Sequence, residues 1–467
     1  MTIQDFITTT LNLKQDQIQN IHLVKSHNSL EIHITLVNKS YTCPRCGGKC
    51  KNKGFNNHPR HYQTLPFAGM SSSIVWYRRR FVCYDCGHSF SEENPFGPEN
   101  FHQTYSLLNQ ILIDLRRPEN TYLSIARKYN LSVSTVQLYS DSFIHVPRLT
   151  LPENLGIDEL SSRMSKYGGS YLCIFVDNDN RLLTEILPNR SKHSLSRYLE
   201  TIPLAERKHV RFVTIDMWEP YRDVSLKYFP NCIVAVDPFH VVKNLCQGFN
   251  RLRIDLMNQA VYDSPAYYLL KQWHKLLDSD YNLDNEPKYN SFFRRKLNYR
   301  DLYNMLLALH PDLRLAYHLK EMYRDFNRNA TEDDCEERFQ HIYEAFCESN
   351  LYCYTDFIGL LEHWKPEILN SFKRPYENRK LSNALAENTN MRLRSLLTVS
   401  NGYSNFERFR ARALFCLNNH VYYSLTSRLT TLKRQGKKRG SYNKQSYLLS
   451  DDPNNSIDTI TDNFIEE

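Results

Sequence analysis

Three acidic residues occupy settings in which a carboxylate can do chemistry. Asp158 follows a short apolar run in Leu155-Gly156-Ile157-Asp158-Glu159, and Asp216 follows another in Phe212-Val213-Thr214-Ile215-Asp216. Glu387 lies in Ser382-Asn383-Ala384-Leu385-Ala386-Glu387-Asn388-Thr389-Asn390, a stretch that reads as helix. Any one Asp at a strand end is more often a turn or cap residue; the conjunction of two strand ends and a distant helical Glu is what points to chemistry. Their hard oxygen donors suit Mg²⁺ or Mn²⁺. Two such ions roughly 3.5–4 Å apart activate a nucleophile and stabilise a leaving oxygen in phosphoryl transfer.

The elements around them must bring them together. Residues 150–245 predict strands over Asn154–Asp158, Tyr171–Asp177, Leu182–Leu187, Val210–Asp216 and Cys232–Asp237, with helices over Ser194–Ile202 and Glu219–Phe229. That order is expected to build a ribonuclease-H-like mixed sheet in which Asp158 ends the first strand and Asp216 the fourth, side by side. Carboxylates that close repel unless a cation neutralises them. Asp237 and His240, in Val236-Asp237-Pro238-Phe239-His240-Val241-Val242-Lys243, end the fifth strand. Asp237 is the reserve candidate for the second carboxylate. His240 reads either as a contact to metal or DNA or as a hydrogen-bonded residue at a helix start. Glu159 is expected on the opposite side from Asp158, and Glu219 in the first turn of a helix.

Residues 246–380 show almost no strand pattern and read as an all-helical insertion, and residues 381–430 as the last helices of the catalytic region. Within the insertion Arg251, Arg253, Arg294, Arg295 and Lys296 either grip phosphate or simply solvate helix faces.

Cys43-Pro44-Arg45-Cys46-Gly47 and Cys83-Tyr84-Asp85-Cys86-Gly87 are two cysteine knuckles. Together they predict a tetrahedral zinc site with Zn–S distances of about 2.3 Å, closed to water and therefore structural. Cys50 and His88 are alternative ligands, and a redox pair or buried thiols is the competing reading. Thirty-six residues separate Cys46 from Cys83, long for a zinc ribbon, but closure entropy grows only slowly with loop length. Ser73–Val82 reads as one strand carrying Arg78, Arg79 and Arg80, which either meet phosphate or form a solvated face. Thr121–Gln137 fits a helix-turn-helix: Thr121 and Ser132 as N-caps, Asn130 at a left-handed turn, and Ser134, Thr135 and Gln137 turned outward toward base edges. An ordinary helical hairpin fits the same residues.

At 467 residues the chain is expected to form roughly two to four domains. A net charge of +8 favours an anionic partner without requiring one. The 31 Tyr and 24 Phe are expected mostly in cores. No apolar run approaches the roughly 18–20 residues that span a bilayer, and the N-terminus lacks a signal-peptide pattern. A cytoplasmic, nucleoid-associated protein is expected, in which twelve cysteines are metal ligands or free thiols rather than disulfides.

Across nearly its whole length the sequence resembles the bacterial insertion-sequence transposases of the DDE type, the ISL3 family. The resemblance rests on the cysteine knuckles, the helix-turn-helix, Asp216-Met217-Trp218-Glu219-Pro220-Tyr221, the segment around Asp237 and His240, Glu387-Asn388-Thr389-Asn390, and Gly402-Tyr403-Ser404-Asn405-Phe406. Asn388 stands where the family commonly has Gly; Asn390 keeps the family pattern. The resemblance implies Asp158, Asp216 and Glu387 as catalytic magnesium ligands, with Asp237 and His240 auxiliary. It also implies Cys43, Cys46, Cys83 and Cys86 on structural zinc, double-stranded element-end and target DNA as partners, and a homo-oligomer on DNA. An inert regulator derived from a transposase and a hydrolysis-only nuclease are the alternatives. The expected organisation is a helix and strand lead-in (1–40), a zinc-ribbon-like domain (41–98), the helix-turn-helix (99–149) and the first catalytic part (150–245). The helical insertion (246–380), the last catalytic helices (381–430) and a basic then polar flexible tail (431–467) follow.

Overall fold

The computed structural model describes residues 11, 13–162, 170–278, 281–375, 380–427, 429–431 and 447–449. The basic run Lys433–Arg439 and the first ten residues lie outside them. The described residues form two compact units, 11–148 with 392–449, and 149–162 with 170–391.

In the first unit, β1 (Ile18–Lys25) and β2 (Ser29–Leu36) form a hairpin in which Leu30, Ile32 and Ile34 alternate inward. The next strands are β3 (Cys50–Phe55), β4 (Arg60–Phe67), β5 (Met70–Trp76), β6 (Arg79–Cys83) and β7 (Ser89–Ser91). One sheet has the order β1-β2-β5-β4 and the other β3-β6-β7. Ile32, Ile34, Tyr62, Ile74, Trp76 and Phe96 fill the core of the larger sheet. The run read as one strand over Ser73–Val82 is therefore broken at Tyr77-Arg78, where the chain leaves one sheet for the other. The long spacing between the knuckles has the same cause, because its middle is the β4–β5 hairpin, which pairs with β2.

Three helices follow, Tyr105–Arg116, Tyr122–Lys128 and Val133–Phe143. Thr121 and Ser132 cap the second and third, and Asn130 between them has φ +51°. Asp114, fully buried, accepts from Lys128 Nζ and Tyr129 Oη, both at 2.7 Å. The helix Phe406–Leu417 belongs to this unit. Its buried Arg412 donates to the carbonyls of Arg117 and Asn120, at 2.8 Å each, where the chain breaks between helices. Strand β8 (Ile144–His145) pairs with Tyr422–Tyr423.

The second unit is built on β9 (Asn154–Ser161), β10 (Tyr171–Asp177), β11 (Leu182–Leu187), β12 (Phe212–Ile215) and β13 (Ile233–Val236), in the order β11-β10-β9-β12-β13. The first three run antiparallel; β9, β12 and β13 run parallel. Asp158 does not end its strand, as the sequence suggested. Strand β9 continues to Ser161 because its antiparallel partner β10 does, pairing Tyr171 with Ser161. Its parallel pairing with β12 stops at Thr214–Gly156, so Asp158 stands just past the point where that partner leaves the ladder.

Helices Lys192–Glu200 and Glu219–Tyr228 belong to this sheet region. A mostly helical block begins with Pro238–Gln259 and includes Pro311–Asn329 and Cys335–Glu348. Its aromatic residues are largely core: Tyr323, Phe326, Phe346, Tyr354 and Phe357 are all buried. The block is not all-helical. A hairpin of β14 (Lys288–Asn290) and β15 (Arg295–Leu297) interrupts it, with Arg294 at φ +54° in the turn. Among the described residues no helix is long and apolar enough to cross a membrane.

Candidate active site and zinc centre

Register places three carboxylates in a row. Thr214 pairs with Gly156, and Ile215 with Val236. The Asp237 amide donates to the Ile215 carbonyl at 2.8 Å, which sets Asp216 beside Asp237; Asp158 stands two residues past the last β9–β12 pair, where the charges of both act on it. Asp237 also caps the helix that starts at Pro238, its Oδ1 accepting from the Phe239 amide at 3.3 Å.

The row is buried and self-repelling. The Asp158 carboxyl is pushed up to about 7, first by burial and then by the charges of Asp216, Glu387 and Asp237. Asp216 is pushed up to about 6 by burial, with Arg190 opposing and Asp237 adding to the rise. Burial also raises Asp237. Asp216 Oδ1 and Asp237 Oδ2 are buried with no hydrogen-bond partner. Buried, partnerless carboxylate oxygens fit a divalent cation, which would supply the missing positive charge, although the donor atoms that lie close enough to share one ion are those of Asp237, His240 and Glu387, without Asp158 or Asp216.

Glu387 reaches the row from the helix Ala384–Val399, and two asparagines, Asn383 just before the helix and Asn390 within it, pin it there. Asn383 Nδ2 donates to the Ile157 carbonyl at 3.0 Å. Asn390 Nδ2 donates to Asp158 Oδ2 at 2.8 Å and to the Glu159 carbonyl at 3.0 Å. Positions 383, 387 and 390 are one helical turn apart, so these ties fix Glu387 between them. His240 Nε2 lies 3.9 Å from Glu387 Oε1, and donor atoms of Asp237, His240 and Glu387 all lie within 4.8 Å of one another. A cleft of about 460 Å³ opens beside Asp237 and Glu387, walled in part by Phe239, Val242 and Leu381.

Gly156 makes this approach possible. A Cβ there would sit 2.5 Å from Val176 Cγ2 and 2.6 Å from Asn383 Oδ1. Gly156→Ala is expected to destabilise the fold by about 1–3 kcal/mol, the usual cost of overpacking, and to slow catalysis by shifting Asn383 and with it Glu387. Denaturant titration and single-turnover kinetics check this, and wild-type values in both would refute the packing argument.

Glu159 pairs with Arg190. The Arg190 guanidinium lies between the rings of Tyr171 and Trp218, at 4.2 and 4.3 Å. Sequence reasoning missed Arg190, Asn383 and Gly156. The i, i+4, i+7 spacing of Asn383, Glu387 and Asn390 was the available signal for the helix; nothing local marked Arg190.

At the knuckles, Cys43, Cys46, Cys83 and Cys86 place all four sulfurs within 4.8 Å of one another. Gly47 and Gly87 take the left-handed turn that each knuckle needs, at φ +74° and +68°. Although burial opposes it, amide hydrogen bonds from Arg45 and Cys46 pull the Cys43 thiol down to about 7. Cys50 stands outside the four, its Sγ 3.6 Å from the Gly48 carbonyl, and the His88 ring stacks on Phe90.

The residues expected to meet DNA divide. On β6, Arg79 alternates inward and is 4% exposed; it ion-pairs with buried Glu92 at 3.5 Å. Arg78 donates to the Glu92 carbonyl at 2.9 Å and lies over Trp76. Both are internal ties, because the sheet-to-sheet crossing needs partners for its polar groups. Arg80 is exposed. Ser134 is exposed and Thr135 half-buried, with both hydroxyls turned to Ser132 Oγ, while Gln137 accepts from Arg408 at 3.1 Å and is held to its own unit. In the helical block, Arg253 is buried against the Leu270 carbonyl, at 2.8 Å, and Arg251 pairs with Asp356.

Residues 155–413 match the family described as transposase, DDE type, ISL3, and residues 39–86 match the zinc finger of the transposases IS204/IS1001/IS1096/IS1165. The chain is 24% identical over 396 residues to the transposase for insertion sequence element IS1001 of Bordetella parapertussis, covering 83% of this chain and 92% of that one. Over 106 residues, 23% of each chain, it is 26% identical to the transposase for IS1557 of Mycobacterium tuberculosis.

Proposed function

Because the chain belongs to the ISL3 family of DDE transposases, we propose that Asp158, Asp216 and Glu387 are its catalytic metal ligands, with Asp237 and His240 auxiliary to them. The chain is a DNA transposase that uses a divalent metal for catalysis and zinc for structure. The observation that carries the residue assignment is the buried row itself. Asp158 is raised to about 7 by burial and by the charges of Asp216, Glu387 and Asp237, a repulsion that a cation relieves.

We read the β11-β10-β9-β12-β13 order, antiparallel then parallel, as a ribonuclease-H-like sheet. The capped pair of helices around Asn130 reads as a helix-turn-helix, with Ser134 as its exposed base-facing residue. Of the expected boundaries two need redrawing: the lead-in (1–40) shares the sheet β1-β2-β5-β4 with the zinc-ribbon-like segment (41–98), and the residues from Arg392 onward, with the helix Phe406–Leu417, belong to the first unit and not to the catalytic one. The others are kept as part of the same reading.

When bound, the divalent cations activate the attacking oxygen and stabilise the leaving one. The chain's own residues hold the geometry. Asn390 orients Asp158, Asn383 and Asn390 fix the helix that presents Glu387, and Arg190 balances the charge of Asp216. In the first displacement, water attacks a phosphodiester at the element end and a 3′-hydroxyl leaves. In the second, that hydroxyl attacks a target phosphodiester and the target's own 3′-oxygen leaves. Two ends joined together call for a homo-oligomer on DNA.

Cleavage and joining of labelled element-end DNA with Mg²⁺ tests the reading, with Asp216→Ala beside the wild type. Both activities are expected in the wild type alone. Equal activity in the variant would remove Asp216 and move the second carboxylate to Asp237. Binding without cleavage by either would favour an inert regulator.

A further inference from the structure

Resting on the reading of this chain as a DNA-end-binding transposase, we propose that the open face of the β3–β6–β7 sheet is a duplex-backbone surface built on Lys51, Lys53 and Arg80. Neither the family assignment nor the arginine cluster in the sequence singles out this face.

Strand alternation defines it. Phe81 pairs with Phe90 across the ladder, and Tyr41 closes over both, 4.6 Å from Phe81 and 6.2 Å from Phe90. That is the apolar face. Residues alternating with Phe81 lie on the other side, where Lys51 pairs with Val82, Val82 with Ser89, and Arg80 with Ser91. Lys53 follows within an irregularity of the pairing between Asn52 and Phe55, where Gly54 has φ +90°, and like Lys51 it is exposed on this strand. Strand β3 is an edge, and every residue from Lys51 to Phe55 is exposed.

The charge is one-sided and unspent. The three strands contain no acidic residue. Glu92, which follows β7, is turned inward to Arg79, and the exposed Glu93 after it hydrogen-bonds Tyr41 through its backbone. Among the described residues, Lys51, Lys53 and Arg80 form no ion pair. Lys51 instead lies 5.4 Å from the ring of Tyr84, which is 65% exposed. Each DNA strand carries a phosphate about every 3.4 Å of axis, so cations spread over one exposed sheet face can meet several phosphates of one backbone. Contacts of this kind hold and orient DNA without reading sequence.

Lysines on an exposed edge also serve to block strand pairing between molecules. That role predicts aggregation of the variant with unchanged DNA binding, so the two separate cleanly.

The test measures binding of the full chain to fluorescent random-sequence and element-end duplexes across a salt series. Lys51→Ala/Lys53→Ala is compared with Lys14→Ala/Lys25→Ala, an equal charge change at other exposed positions of the same unit; Arg80→Ala is then added. Zinc content reports that the module is intact. The expected result for the β3 pair is a salt slope shallower by about 0.9 per lost contact and weaker binding to both duplexes. Arg80→Ala should deepen the effect and the control pair should not show it. Wild-type slope and affinity in the β3 variants, or an equal fall in the control pair, would overturn the proposal. A wild type that binds no duplex at low salt would overturn the transposase reading and this surface with it.

Discussion

Asp158→Asn is expected to lower metal-dependent cleavage by roughly 10³-fold or more, the scale of losing a charge-stabilising group in an active site, while making the metal-free protein more stable at pH 8. The two effects have one cause. The folded protein raises the Asp158 carboxyl from its ordinary range to about 7, by burial and by the neighbouring charges. A group raised in the folded state contributes stability that is complete below its unfolded pKa and lost as pH rises through the folded one. The metal-free wild type should therefore weaken between about pH 4 and pH 8. At about 1.4 kcal/mol per unit, the cost is on the order of a few kcal/mol. Asparagine carries no charge to repel, and its amide oxygen can still accept from Asn390. Melting curves in chelator at pH 5 and pH 8 measure the difference, and repeating them with Mn²⁺ completes the test. The wild type should regain stability with metal at pH 8, and the variant should not. A wild type whose melting temperature in chelator is flat from pH 5 to pH 8 would sink the account, as would a variant that still cleaves.

This row of carboxylates was legible in the sequence because each member ends or follows a β-branched apolar run or sits in a helical pattern. The strand order followed from the same runs. The position of Asp158 within its strand was not legible. The extension to Ser161 is set by pairing with β10, and the strand's own sequence gives no sign of it. Gly156 and Asn383 were equally hidden, since the close approach of Asn383 Oδ1 to Gly156 joins residues 227 positions apart. The arginine cluster misled for a definable reason. Alternation along β6 sends Arg79 inward, and the crossing between the two sheets gives it Glu92 as a partner. Charge counted along a sequence cannot distinguish a buried pair from an exposed face. The same crossing accounts for the long spacing between the cysteine knuckles, which chain entropy permitted and the β4–β5 hairpin explains.

Removing zinc should unfold the β3–β6–β7 sheet while leaving the β9–β13 sheet ordered. The small sheet has few apolar side chains of its own, chiefly Phe81 and Phe90 with Tyr41 over them. That is too little to offset the entropy of ordering its loops. Structural zinc contributes about 10–16 kcal/mol of apparent binding energy in small zinc modules, far more than three rings supply. A strong chelator, or Cys83→Ser, should abolish amide-exchange protection over β3, β6 and β7 and retain it over β9, β10, β12 and β13, whose core contains none of the four thiols. The larger β1-β2-β5-β4 sheet has its own core around Tyr62 and Trp76 and should remain protected. Cys50→Ser and His88→Ala should keep their zinc, because the sulfurs that converge are those of Cys43, Cys46, Cys83 and Cys86. Loss of zinc from Cys50→Ser would move that thiol into the ligand set. Unchanged protection after chelation would mean that the aromatic face holds the sheet alone, and that the four cysteines serve something other than the fold.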